Sequence, residues 1–260
     1  MTVDGEAAAV DPQVLDRIFE VFRELPRGGP SDAESCRRVV ALMTALPRRA
    51  LAVDLGCGPG NGSTTVAAMT GARRVVAFDI HLPFVARQLV SARTSGASGG
   101  TVSGVCGDMA AAPFVAGAFD LVWSEGALYS IGFRKGLAVA ASLLRKGGYL
   151  AATEAVWTVP EPPDEVRLWW ESVYPDIAPV ESKLSDTRAA GFEIQAHFTL
   201  PVSAWRHFYA PMRTRLALMA RRWADDPVGL SVIAQMEDEI EMFDRFGGTY
   251  SYEFIVGRKE

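Results

Sequence analysis

The chain changes rhythm along its length. Near the start, Val14, Ile18, Val21, Phe22 and Leu25 recur at helical spacing. Asp11-Pro12 is a start signal for that helix, an N-cap acid followed by proline at the first helical position. Residues 1–10 read as a tail, and PRGGP (26–30) breaks the first helix. Ser31 with Glu34 has capping-box spacing and predicts a second helix to about Leu46. From residue 50 short apolar runs alternate with amphipathic stretches. ALAVDL (50–55), RRVVAFD (73–79), TVSGVCGD (101–108), AFDLVWS (118–124) and YLAATEAVW (149–157) read as strands. Asn61–Met69, Leu82–Arg93 and Phe133–Leu144 read as helices, with TSGASGG (94–100) a loop and RKGG (145–148) a turn. Strands alternating with helices predict an α/β fold, a parallel sheet with helices on both faces.

After Trp157 the alternation stops. A proline-rich VPEPPDE leads into an aromatic helix, VRLWWESVY (166–174). FEIQAHFTL (192–200) is a sixth strand, residues 203–246 form a long helical stretch, and TYSYEFIVGRK (249–259) alternates like a closing strand. No repeat and no low-complexity linker interrupts the chain, so a single domain is expected over 1–260. Residues 1–46 supply N-terminal helices, and 158–190 and 203–247 read as helical insertions that cap the sheet.

Composition narrows the function. The 260 residues are 49% hydrophobic and 22% charged, with net charge −5, which suits one sizeable core. Mean hydropathy is +0.11 and the pI about 5.4. No Lys/Arg patch stands out, so nucleic acid is not the expected partner. No apolar run reaches the roughly 20 residues of a membrane span, and the first residues do not resemble a signal peptide. Cys36, Cys57 and Cys106 form no CxxC pair, which fits a reducing cytoplasm and gives no metal site.

The stretch VDLGCGPGNGSTT (53–65) carries the chemistry. A strand, a glycine loop and a helix N-terminus in series make a cradle for a nucleotide-like ligand. The spacing Gly56-x-Gly58-x-Gly60 departs from the dinucleotide form GxGxxG, because Asn occupies position 61. Asp79 ends the second strand, where an acid can accept from both ribose hydroxyls. Asp108 ends the third strand, where an acid can accept from an adenine amino group while Met109 packs on the ring. Each acid alone is also a common strand-end turn residue. Together they mark the carboxyl edge of three successive strands, the ligand edge of open parallel sheets.

AVDLGCGPGNG, AFD (77–79), GDM (107–109) and LLRKGGYL (143–150) resemble the successive motifs of class I S-adenosylmethionine-dependent methyltransferases. WSEGALYSIGFRKGL (123–137), WWESVYPDI (169–177) and the TYSYEFIVGRKE ending resemble a bacterial small-molecule-type subgroup with a helical cap. The resemblance implies a Rossmann-like seven-stranded sheet of order 3-2-1-4-5-7-6, strand 7 antiparallel. It implies S-adenosyl-L-methionine as cofactor, held by Ser31, Gly56, Cys57, Gly58, Gly60, Asp79, Ile80, Asp108, Met109 and Ser124. In that reading the glycines line the methionine and ribose portion, Ser31 sits by the carboxylate, and Ser124 and Glu125 border the sulfonium.

Methyl transfer from a sulfonium is an in-line displacement that needs positioning and, for some acceptors, a base. Glu125 either serves as that base, pairs with a cationic amine, or bonds backbone amides as a structural acid. Tyr129 either closes over the methyl group or simply packs. Among the histidines, His81 lies beside Asp79 and His197 within a strand, leaving His207, in SAWRHFYAP, as the best candidate base. Trp157, Trp169, Trp170, Tyr174, Trp205, Phe208 and Tyr209 either bind an aromatic acceptor or fix the cap to the sheet. Arg213, Arg215, Arg221 and Arg222 either steer an anion or form a solvated face.

The expected reaction is methyl transfer to a small-molecule acceptor at O or N, with a homodimer left open. The rivals are a nucleic-acid or protein methyltransferase, a non-catalytic binder of the same cofactor, and a nicotinamide dehydrogenase. Base-amine enzymes carry Asn/Asp-Pro-Pro-aromatic after the fourth strand, where this chain has Ser-Glu-Gly-Ala, and there is no Pro-Cys pair. GxGxG followed by GDM speaks against the dehydrogenase.

Overall fold

Alternate residues along each central strand face opposite layers, as the two-residue period of a strand requires. Ala52, Leu121 and Ala151 point into one apolar layer, and Val53, Val122 and Leu150 into the other. Both faces of the sheet are therefore buried, which is why these runs are almost wholly apolar. The computed structural model describes residues 11–95 and 101–260. The tail expected over 1–10, and all but the start of the loop expected over 94–100, lie outside the described residues.

The strands are β1 (Leu51–Leu55), β2 (Arg74–Asp79), β3 (Thr101–Cys106), β4 (Phe119–Ser124) and β5 (Leu144–Trp157), followed by β6 (Ala178–Pro179), β7 (Phe192–Thr199) and β8 (Tyr250–Lys259). They form one sheet in the order β3-β2-β1-β4-β5-β8-β7, with the two-residue β6 paired to β5 at the side. β1 to β5 run parallel, and β8 lies antiparallel between β5 and β7. With β6 set aside, this is the expected seven-strand order.

The helices are α1 (Pro12–Phe22), α2 (Ala33–Leu42), α3 (Gly62–Thr70), α4 (Leu82–Thr94) and α5 (Phe133–Leu143), then α6 (Asp164–Val173), α7 (Val180–Ala189), α8 (Val202–Arg222) and α9 (Pro227–Phe246). The start of α1 is as expected, with the Asp11 carboxylate accepting from the Gln13 N–H at 2.8 Å. The cap of α2 is not. Asp32, not Ser31, accepts from the Glu34 and Ser35 amides at 2.9 and 2.8 Å. A carboxylate so placed satisfies two orphan amides, and Ser31 is left to turn inward. That helix also stops at Leu42, short of Leu46.

Three further expectations change. RKGG lies within β5, which starts at Leu144, and the irregular pairing between Phe119 and Leu121 absorbs its glycines. The stretch 203–246 is two helices, broken where Asp226 accepts from the Gly229 amide and Pro227 starts α9. Helix α7 was not anticipated as a separate element; it packs on β5, β7 and β8. On the opposite layer α1, α8 and α9 pack against one another. Arg17–Asp226 (2.6 Å) and Arg222–Glu20 (2.9 Å) brace that group, and Arg215 donates to the Glu20 carbonyl at 2.9 Å. These arginines tie α1 to the cap, Arg213 pairs with Asp244, and none of the four lines the cavity described next.

Candidate active site

At the carboxyl edge of β1 to β4 the sheet opens into a cavity of about 710 Å³. That is a ligand-sized volume. Asp108 and Met109 follow β3, Asp79 ends β2, Gly56 to Gly58 follow β1, and Glu125 follows β4. The adenosine-type acids and Glu125 therefore stand on opposite sides of the glycine loop. Helix α1 closes the cavity with Leu15, Ile18, Phe19 and Phe22.

The loop is held from three directions. Gly56 and Cys57 donate to the Phe78 carbonyl at 2.8 and 3.0 Å. The Gly58 amide donates to Asp79 Oδ2 at 2.9 Å. The fully buried Gln88 side chain, on α4, donates to the Cys57 and Gly58 carbonyls at 3.0 and 3.1 Å and accepts from the Ser63 amide at 3.2 Å. Gly56, Gly58 and Gly60 all have positive φ. Their side-chain positions differ. A Cβ at Gly58 would meet only the Gly28 Cα, at 3.8 Å, beside the cavity. A Cβ at Gly60 would lie 2.0 Å from the Pro26 carbonyl oxygen. Gly58 thus leaves room for a ligand, whereas Gly60 makes room for the protein's own backbone.

Asp79 shares its carboxylate between the Gly58 amide and the His81 amide, at 2.9 Å each. Burial raises its pKa above the usual carboxylate value, and these amides oppose the rise. His81 stacks on Phe19 at 4.1 Å between ring centroids, and burial lowers its pKa. Asp108 accepts from the Ala110 amide at 2.8 Å, using one oxygen to start a short 3₁₀ turn (Met109–Ala111).

Glu125 is half-buried. Its Oε1 accepts from the Trp123 indole N–H at 2.7 Å, and the Cys36 thiol lies 3.8 and 3.9 Å from its two oxygens. Burial pushes the Cys36 thiol up to about 12, with Glu125 adding to the rise and Ser31 opposing it. Tyr129 also lines the cavity, its ring 5.3 Å from that of Tyr174, and burial raises its pKa.

Of the residues expected at the site, Ser31, Gly56, Cys57, Gly58, Asp79, Ile80, Asp108, Met109, Glu125 and Tyr129 all line this one cavity. Three do not. Gly60 packs on Pro26. Ser124 is fully buried and donates to the Leu55 carbonyl at 2.7 Å, pinning β4 to β1. His207 is exposed on α8, because the buried face of that helix there is Ala204, Trp205, Phe208 and Tyr209. The aromatic cap residues likewise stay out of the cavity. Trp205 stacks on Phe243 at 5.5 Å and meets Tyr252 edge-on at 4.9 Å, fixing the cap to the sheet.

Two residues were missed. Asp54, on β1, lines the cavity and accepts from the Ser63 hydroxyl at 2.7 Å, and burial raises its pKa to about 7. Its place in VDLGCG made it visible as a strand residue, but not as a buried acid. Gln88 lies far from the loop in sequence, and no local pattern signals its clamp.

Residues 52–148 match the family model for a methyltransferase domain. That stretch is a methyltransferase domain, and the chain as a whole has the fold of class I S-adenosylmethionine-dependent methyltransferases. The chain superimposes on a Geobacter sulfurreducens S-adenosylmethionine-dependent methyltransferase in complex with S-adenosyl-L-homocysteine. The TM-score is 0.78 at 19% identity, over 96% of this chain and 99% of that one. A Thiobacillus denitrificans enzyme of the same description gives 0.77 at 18%, over 94% and 98%. The [4+2]-cyclase SpnF gives 0.69 at 23%, over 95% and 92%. No curated protein matches the chain. Among the described residues no helix is long and apolar enough to cross a membrane.

Proposed function

We propose that the protein is an S-adenosylmethionine-dependent methyltransferase that acts on a small-molecule acceptor at O or N, in a reducing cytoplasm. The observation that carries this reading is the convergence of the glycine loop, Asp79, Asp108 and Glu125 on one cavity closed by α1. The structural neighbours include the [4+2]-cyclase SpnF, so fold alone does not choose the reaction.

The cradle suits the cofactor. Gly58 leaves its ligand side open, and Asp79 offers carboxylate oxygens that ribose hydroxyls can share with the backbone amides. Asp108 keeps its second oxygen for the adenine amino group, with Met109 against the ring. Ser31 and the turn before α2 sit nearest the amino-acid end. S-adenosylmethionine bound there supplies a methyl group already activated on sulfur. The protein's own part is positioning, exclusion of water by α1, and proton acceptance by Glu125. Tyr129 shapes the wall facing the acceptor.

Calorimetric titration tests this. S-adenosylhomocysteine binds and NAD does not. Asp79→Ala weakens S-adenosylhomocysteine by about 1.5–3 kcal/mol, the range of charge-assisted hydrogen bonds, so roughly tenfold to a hundredfold. Tight binding of NAD alone, or an unchanged affinity in the variant, contradicts the assignment.

A further inference from the structure

The charges lining the cavity are one-sided. Among the described lining residues Arg27 is the single Lys or Arg, against Asp32, Asp54, Asp79, Asp108 and Glu125. Residues 1–10 and 96–100 hold no Lys, Arg or His that could redress this. Four of the acids already bond the protein: Asp32 caps α2, Asp54 accepts from Ser63, Asp79 holds the loop and Asp108 starts its turn. Glu125 accepts from the Trp123 indole and lies near the Cys36 thiol, and it is the one acid of the five that follows β4, across the loop from Asp79 and Asp108. Among the described residues none of the five has an ion-pair partner. Trp123 and Tyr129 line the same cavity.

An anionic acceptor brought to this wall would face the like charge of Glu125 in a partly desolvated space. Arg27, in the turn before Ser31, is the one cationic side chain among the described lining residues, and the cofactor's own carboxylate competes for it, while the cofactor's sulfonium is spent when the methyl group leaves. A carboxylate in one cavity with aromatic rings is instead the setting that recognises an ammonium group. Resting on the methyltransferase reading above, we infer that the acceptor is a basic amine on an apolar body, and that the cavity rejects acceptors bearing phosphate or carboxylate. Glu125 takes one proton from the ammonium, exposing the nitrogen lone pair. The nitrogen–carbon bond forms as the carbon–sulfur bond breaks. The products are the methylated ammonium and S-adenosylhomocysteine, and the proton on Glu125 passes to water.

Matched probes on one body decide it: 2-phenylethylamine, 2-phenylethanol, 3-phenylpropionate and 2-phenylethyl phosphate, titrated into protein saturated with S-adenosylhomocysteine. The amine binds at least tenfold tighter than the alcohol, and the two anions bind weaker than the alcohol. In Glu125→Gln the amine loses its advantage to within twofold while the alcohol keeps its affinity, which shows an intact cavity. With labelled S-adenosylmethionine the amine takes the label. The inference is overturned if an anion binds as tightly as the amine, if the amine fails to bind, or if its preference survives Glu125→Gln. Failure of S-adenosylhomocysteine itself to bind would instead overturn the methyltransferase reading.

Discussion

The glycine loop and the helical cap both stand out in the sequence, and they do opposite work. The loop is conspicuous for lacking side chains. It is a backbone surface held open by Gln88 and Asp79, with a ligand-sized cavity in front of it. The cap is conspicuous for its aromatic side chains, yet those rings fill their own interior, with Trp205, Tyr209, Phe243 and Tyr250 packed together and buried. Bulk so placed stabilises the fold. Recognition falls to the places where bulk was left out and to a few acids beside them.

The widest separation of the two regions comes from Trp205→Ala. It removes the ring stacked on Phe243 and the indole donor to Ser251 Oγ at 3.0 Å. Stability falls by about 3–5 kcal/mol, seen as a lower Tm, while S-adenosylhomocysteine affinity in the folded protein changes little. A large loss of affinity with a small loss of stability would erase the distinction.

Asp54 tests the loop side by pH. Burial lifts its folded pKa to about 7 from an ordinary value of 3.8. Between those values the folded state holds a proton that the unfolded state has released, so rising pH costs stability across that window and nothing further above it. Asp54→Asn keeps an acceptor for the Ser63 hydroxyl and removes the ionisation. In urea denaturation the variant gains on the parent by about 2–4 kcal/mol from pH 4 to pH 8. A difference that does not grow with pH would show that Asp54 is ionised in the fold at no cost.

The smallest effect belongs to His207→Ala. On an exposed face of α8, the change stays within about 0.5 kcal/mol of the parent and leaves turnover intact. A tenfold fall in methyl transfer would bring the cap back into the chemistry.

What was legible before the structure follows the range of each interaction. Asp79 and Asp108 were readable because a strand-end acid is placed by its own strand, and strand order by the alternation with helices. Ser31 was misread as a cap because Asp32, one residue on, offers the better acceptor, and sequence spacing does not separate neighbours. Ser124 and His207 lie outside the cavity for another reason. Each lies beside correctly placed residues, but the face it shows depends on partners elsewhere, the Leu55 carbonyl for Ser124 and the packing of α8 for His207. Gln88 reaches the loop from α4, and the raised pKa of Asp54 arises from burial, and neither leaves a local pattern.

The contact between Gly60 and the Pro26 carbonyl has a consequence for where this enzyme can be divided. The recognisable domain starts at residue 52, yet the last turn of its glycine loop is moulded against a segment well upstream of that boundary. A fragment cut at the domain boundary would keep every motif residue after β1 and lose the template on which the loop takes its shape. A unit that keeps the shape of the loop is therefore set by backbone contact rather than by motif extent, and it reaches back at least to Pro26.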